Sequence, residues 1–274
     1  MARTEIPKEP VVEALGDVWA STRGLLAGLD EEQWSNQSAL PGWDVSDLVA
    51  HVIGTESMLS GMDVPPSETD VNELAHVHNA IGAFNEMWIR HLDGTPPAEM
   101  LRRFETLTAE RLVALEAMDD AAWNAESFTP AGKDTYGRFM RIRVFDCWLH
   151  EQDIRDAVDR PGGYDGPAVE QTLDEMSSAL GYVVGKLAGA PAGSRVTYAL
   201  TGRGGRDVHV EVGARAAVVD ELSAPATVTL TMTVGTFVRL SGGRIDAAAA
   251  MEQLTIDGDG ALGRRLVEHG AYTI

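Results

Sequence analysis

Apolar residues return every three or four positions through most of the first 160 residues, the spacing that lines one face of an α-helix. From Pro10 to Leu29 the stripe is Val11, Leu15, Val18, Thr22, Leu25 and Leu29. The segment LPGWDVSDLVAHVIGTESML then offers a Pro-Gly break, Asp44 as a candidate N-cap, Asp47 three residues on, and apolar positions at Leu48, Val52 and Leu59. This predicts a second helix beginning near Asp44. A third pattern runs from about Asp70 to Leu92 through Leu74, Ile81, Phe84 and Trp88, and stops at DGTPP, where two prolines forbid continuation. A fourth passes through Leu101, Phe104, Leu112 and Leu115, and a fifth runs from about Thr135 to Val158. The first 160 residues are thus expected to be all-helical.

At DRPGGYDGP the pattern breaks, as in a linker. One further helix is predicted over Ala168–Leu187. After it, β-branched runs with glycine punctuation mark strands at Ser194–Thr201, Asp207–Val212 and Ala226–Met232. Short helices around Val234–Leu240 and Asp246–Met251, a strand at Gln253–Ile256 and a last helix at Ala261–His269 complete an α+β half. The expected organisation is a multi-domain chain, with a helical domain over residues 1–160 and an α+β domain over residues 161–274. A length of 274 residues accommodates two cores.

Composition narrows the function classes. Forty-two acidic residues against 22 Lys and Arg give a formal net charge of −20, which opposes phosphate backbones and anionic lipid, so no nucleic-acid partner is expected. No stretch has the length and apolarity of a membrane span, and the opening MARTEIPKEPVVEALGD lacks the apolar core of a signal peptide, so a cytoplasmic location is expected. The single Cys147 has no partner for an internal disulfide.

Chemistry concentrates in RVFDCWLHEQDIRDA, residues 143–157. Asp146 and His150 are four apart and therefore share one helix face. A catalytic divalent metal commonly takes three protein ligands and keeps one position open. His51 is the best third ligand, because it lies beside the apolar stripe of the second helix and faces the interior. Two histidines and a carboxylate suit zinc or another first-row divalent ion. The same residues are also compatible with a helix-stabilising Asp–His pair and a hydrogen-bonded core histidine. His76, His78 and His91 are expected to be structural or superficial. Cys147 is rotated about 100° from Asp146 and mid-helix, with no local cation or helix N-terminus to activate it, so a buried, inert thiol is expected. A thiol needed for chemistry should then arrive with a cofactor. GDGALG has the G-x-G-x-x-G spacing, but only 11 residues follow Gly263, too few for a dinucleotide-binding unit, and a tight strand-to-helix turn explains the glycines.

LPGWDVSDLVAHV and FDCWLHEQDIRDAVDRPGG together resemble the mycothiol-dependent maleylpyruvate isomerase family. TLTMTVGTFVRLSGGRI and LTIDGDGALGRRLVEHGAYTI are similar to the closing segments of the sterol-carrier-protein-like domain of the same family, so the likeness covers nearly the whole chain. The resemblance implies a DinB-like four-helix bundle followed by a sterol-carrier-protein-like domain, with metal ligands at His51, Asp146 and His150. It implies mycothiol as thiol cosubstrate and a small-molecule electrophile as acceptor. Thiolate addition across a conjugated cis double bond allows rotation about the resulting single bond, and elimination gives the trans isomer; S-transfer would stop after addition. One departure is Asp146, where the family pattern has Glu. Asp153, one turn beyond His150, is placed to orient its imidazole. An arginine that binds the anionic substrate is also implied, with Arg239 and Arg244 foremost and Arg264 and Arg265 as further candidates. Two other readings remain compatible: a metal-dependent hydrolase using the same ligands, and a non-catalytic carrier of an apolar ligand.

Overall fold

The computed structural model describes residues 4–273. The chain divides into two compact units, Met1–Gly163 and Tyr164–Ile274.

The first unit is dominated by α1 (Lys8–Leu26), α2 (Val45–Leu59), α3 (Ala80–Leu92), α4 (Pro97–Ala117), the one-turn α5 (Asp120–Trp123) and α6 (Tyr136–Ala157). Helix α1 packs on α4 and α6, and α2 packs on α3, α4 and α6. Their apolar stripes meet in a core that includes Val11, Leu15, Leu48, Leu115, Met140 and Val144, all fully buried. Burying each such side chain contributes about 1.5–3 kcal/mol. The start of α2 is fixed by a reciprocal capping box: Asp44 Oδ1 accepts from the Asp47 backbone N–H at 3.0 Å, and Asp47 Oδ2 accepts from that of Asp44 at 3.0 Å.

Two expectations for this half need correction. The third helix begins at Ala80, not near Asp70; Val71–Glu73 is a single 3₁₀ turn. Asp70 accepts from the Asn72 N–H and Asn79 from the Gly82 N–H, so each side chain ends the preceding backbone run by capping the next turn. Leu74 keeps the apolar spacing without being helical. Nor is the unit all-helical, since β1 (Glu126–Thr129) and β2 (Gly132–Thr135) form an antiparallel hairpin before α6. Its register is held from outside the local sequence: Asp134 accepts from the Thr4 backbone N–H at 2.7 Å and hydroxyl at 2.8 Å. Thr135 then caps α6 by accepting from the Arg138 N–H.

The second unit begins with α7 (Pro167–Ser178), the short α8 (Leu180–Tyr182) and a π-helical turn at Val183–Leu187. The single helix expected over 168–187 is therefore broken. Gly181 and Gly185 face the strand at Ala216, where a Cβ on Gly185 would lie 2.7 Å from the Ala216 side chain. The segment gives up regular geometry for close approach. Strands β3 (Arg195–Thr201), β4 (Asp207–Val212), β5 (Ala216–Val219), β6 (Val228–Thr233) and β7 (Leu254–Gly258) form one sheet in the order β5-β4-β3-β6-β7. Only β3 and β6 pair in parallel, so the sheet is mixed. The strand β5, AAVV, was not anticipated, because it carries no polar alternation. Helices α9 (Val234–Ser241), α10 (Ala247–Met251) and α11 (Gly260–Glu268) complete the unit. Asp259 caps α11 by accepting from the Ala261 and Leu262 N–H groups at 3.0 Å, which accounts for the tight GDGALG turn. The first part of the chain is helical and the second is α+β.

Candidate metal centre

Helices α2 and α6 bring His51, Asp146 and His150 together. One ligand atom from each lies within 4.8 Å of the others. His51 Nε2 is 3.1 Å from Asp146 Oδ2, and His150 Nε2 is 3.6 Å from Asp146 Oδ1. The two imidazoles meet edge to face, 4.8 Å between centroids. Both histidines are buried, whereas the Asp146 side chain keeps 29 % of its exposure, so the cluster opens on the carboxylate side.

The ring nitrogens differ in their commitments. His150 Nδ1 is 3.0 Å from Asp153 Oδ2, which fixes the ring and leaves Nε2 as the nitrogen able to offer a lone pair. His51 Nδ1 is buried with no hydrogen-bond partner among the described residues, so that ring's one polar contact is through Nε2, toward Asp146. Burial pulls the His51 pKa below the ordinary imidazole value, against the attraction of Asp146. Burial acts on His150 in the same sense, yet Asp146 and Asp153 together outweigh it and hold its pKa up. Asp146 is held well below the usual carboxylate range because Arg143 and the two histidines overcome the cost of burial. A deprotonated carboxylate and two convergent imidazole nitrogens at these separations are the donor set of a zinc-type site, so the residues present fit the ion.

Several residues around the cluster escaped the sequence reading. Arg143, 3 % exposed, donates through Nη1 to Asp146 Oδ2 and through Nε to Glu56 Oε1 at 2.9 Å. The other Glu56 oxygen accepts from Arg111 Nε at 2.9 Å, and Arg111 Nη2 reaches Tyr136 Oη at 3.0 Å. Trp43 packs on both imidazoles, with centroid separations of 5.4 Å to His51 and 6.1 Å to His150. Its indole N–H donates to buried Glu86 Oε1 at 2.7 Å, and His76 Nε2 lies 2.7 Å from the same oxygen. The available signals were faint: Arg143 stands one turn before Asp146 and Cys147, and Trp43 sits in the LPGW turn.

Cys147 is buried, as expected, but the expectation that no cation lies near it needs correction. Arg143 Nη2 is 3.3 Å from its Sγ. Burial nevertheless pushes the thiol up to about 12, so it is protonated at neutral pH. His91 packs edge-on against Trp88. Arg239 and Arg244 lie in the second unit, both half-buried; Arg239 belongs to α9, and Arg244 Nη1 donates to the Gly242 carbonyl at 2.6 Å in the turn that follows. No helix among the described residues is long and apolar enough to cross a membrane.

A helical unit enclosing a histidine–carboxylate cluster, followed by an α+β unit, is the architecture of this chain. The chain belongs to the mycothiol maleylpyruvate isomerase family: the model of that family's N-terminal domain matches residues 15–155, and the model of its C-terminal domain matches residues 170–265. It is thereby a member of an enzyme family. Two crystal structures of mycothiol-dependent maleylpyruvate isomerase, one of them a mutant, are similar over 92 % of this chain and 93 % of theirs. Their TM-scores are 0.59 and 0.57, at 18 % and 19 % identity, a likeness of fold. No curated protein sequence matches the chain.

Proposed function

We propose that this protein is a metal-dependent, mycothiol-dependent isomerase of the maleylpyruvate type, its metal held by His51, Asp146 and His150 in a DinB-like four-helix bundle. The second unit is then the sterol-carrier-protein-like domain of the family. The observation that carries the reading is the convergence of three donors from two helices, with His150 oriented by Asp153. A divalent ion there, zinc by donor type, would supply the positive charge that keeps a thiol ionised at neutral pH.

The chain's own groups do the rest. Trp43 covers the histidines on one side and limits water there, while the exposed edge of Asp146 leaves an approach for thiol and electrophile. Cys147, buried and protonated, is not the nucleophile, which agrees with a thiol delivered by a cosubstrate. Arg239 and Arg244 are proposed to meet an anionic substrate, since a guanidinium fork matches a carboxylate.

The test is metal analysis of the wild type, His51→Ala and Asp146→Ala, paired with thiol-dependent turnover of maleylpyruvate. One equivalent of metal in the wild type, its loss in both variants and turnover only with thiol are expected. Stoichiometric metal without turnover would keep the centre and discard the substrate. An unchanged KM in both Arg239→Ala and Arg244→Ala would remove those two arginines from substrate binding.

A further inference from the structure

Asp146 is secured by more than the two imidazoles. A chain of polar contacts, buried at its centre and partly buried at its ends, runs from Tyr136 through Arg111, Glu56 and Arg143 and ends on Asp146 Oδ2. It ties α4, α2 and α6 together, and Glu56, Arg111 and Arg143 are each less than 5 % exposed. A fully buried arginine whose fork is shared among two carboxylates and a thiol has little freedom to move. The oxygen it holds is one of the two that a carboxylate can offer to a metal. That oxygen also stands 3.1 Å from His51 Nε2, and the other, Oδ1, faces His150 Nε2 at 3.6 Å.

We propose that Arg143 is a positioning residue that grips Asp146 through Oδ2 and so fixes the orientation in which this carboxylate is presented to the metal, with Glu56 and Arg111 locking Arg143 in place. The inference rests on the reading of His51, Asp146 and His150 as a metal centre. An aspartate has only one methylene between backbone and carboxylate, so its orientation follows whatever grips the second oxygen. Arg143 therefore sets the direction of the donor, and Glu56 sets Arg143.

Zinc titration against a chromophoric chelator, together with the visible spectrum of the cobalt(II)-loaded protein, tests this on the wild type, Arg143→Lys and Glu56→Gln. Lysine keeps the charge but cannot fork between Glu56 and Asp146. Glutamine keeps the shape of Glu56 while weakening its hold on Arg143, and touches no ligand. Arg143→Lys should bind zinc about 10–100-fold more weakly, the usual cost of losing an outer partner of a ligand, and should shift the cobalt(II) bands. Glu56→Gln should move both readouts in the same direction by less. The spectrum separates positioning from mere loss of stability, because a weaker fold does not by itself change the coordination of the bound ion. Zinc affinity within twofold of wild type and unchanged bands in both variants overturn the proposal, as does that result in Glu56→Gln alone should Arg143→Lys not fold. A wild type that binds no zinc instead overturns the metal-centre reading itself.

Discussion

The two units spend their interiors differently. In the first, His51, Glu56, Glu86, Arg111, Arg143, His150, Glu151 and Asp153 are all buried. In the second, Glu175 is the one buried carboxylate among the described residues, and the other buried polar groups are hydroxyls such as those of Thr172, Ser177, Thr236 and Ser241. A buried charge is expensive unless paired, and replacing a paired one with apolar groups is often neutral or stabilising. Stability alone therefore gives no reason to collect so many ions in one helical core. Several of them, Glu56, Arg111, Arg143 and Asp153, are linked to the His51, Asp146 and His150 cluster, as expected if the first unit's interior holds the proposed metal centre.

The hardest blow to this contrast is to remove one ion from the network. In Glu56→Ala, both Arg111 and Arg143 lose a buried carboxylate at once. Breaking such a pair costs about 3–5 kcal/mol. All six tryptophans, at 19, 34, 43, 88, 123 and 148, lie in the first unit, so the denaturant midpoint read by tryptophan fluorescence reports on that unit. A loss below about 1 kcal/mol would mean that the network is solvated and the comparison of interiors misplaced.

A smaller loss is expected from Gly42→Ala, in the turn that carries Trp43. Gly42 has φ +83°, and a Cβ there would lie 2.7 Å from His76 Nδ1. Left-handed backbone costs an ordinary residue about 1–2 kcal/mol, to which the clash adds. Because His76 shares Glu86 Oε1 with the Trp43 indole, displacing His76 should loosen Trp43 over the two imidazoles. The variant should be destabilised by about 2 kcal/mol and show altered near-ultraviolet dichroism. Unchanged dichroism would show that His76 does not hold the tryptophan.

What the sequence disclosed follows the same division. Periodicity exposed α1, α2, α4 and α6 because their stripes are long and regular, and the i, i+4 spacing exposed Asp146 and His150. His51 was legible because it flanks an apolar stripe. Glu56, Arg111 and Arg143 were not, since a charged residue on a helix ordinarily faces water, and only the tertiary packing of α2, α4 and α6 turns these three toward one another. The β1–β2 hairpin was hidden for a related reason: its anchor, Thr4, is 130 residues away from Asp134.

Asp47 offers a gentler probe at the same helix. Burial raises its pKa to about 6 from the usual 3.8, against the backbone hydrogen bond from Asp44. The folded state therefore keeps this proton longer than the unfolded one, so stability falls as pH rises from 3.8 to about 6 and stays lower above it. Asp47→Asn removes that loss while retaining an acceptor for the Asp44 N–H. The full shift corresponds to about 3 kcal/mol, and solvent access at this half-exposed group reduces it to about 1 kcal/mol. Urea unfolding should show the variant more stable than wild type at pH 7.5, with the gap closing toward pH 4. A constant gap would assign the effect to the capping box and not to charge.

The smallest effect belongs to the second unit, and it tests the other side of the contrast. Tyr198 Oη is buried without a hydrogen-bond partner among the described residues, its ring lies 6.1 Å from that of Phe237, and burial pushes its pKa up. An unpaired buried hydroxyl carries a desolvation penalty that phenylalanine lacks, while the packed ring is kept. Tyr198→Phe should thus leave stability unchanged or raise it by at most about 1 kcal/mol. Amide exchange along β3 and β6, which pair through Tyr198↔Leu230, measures this where tryptophan fluorescence is blind. Faster exchange in those strands would mean that the hydroxyl holds a partner such as an ordered water, and that the second interior too is built around polar contacts and not around apolar packing alone.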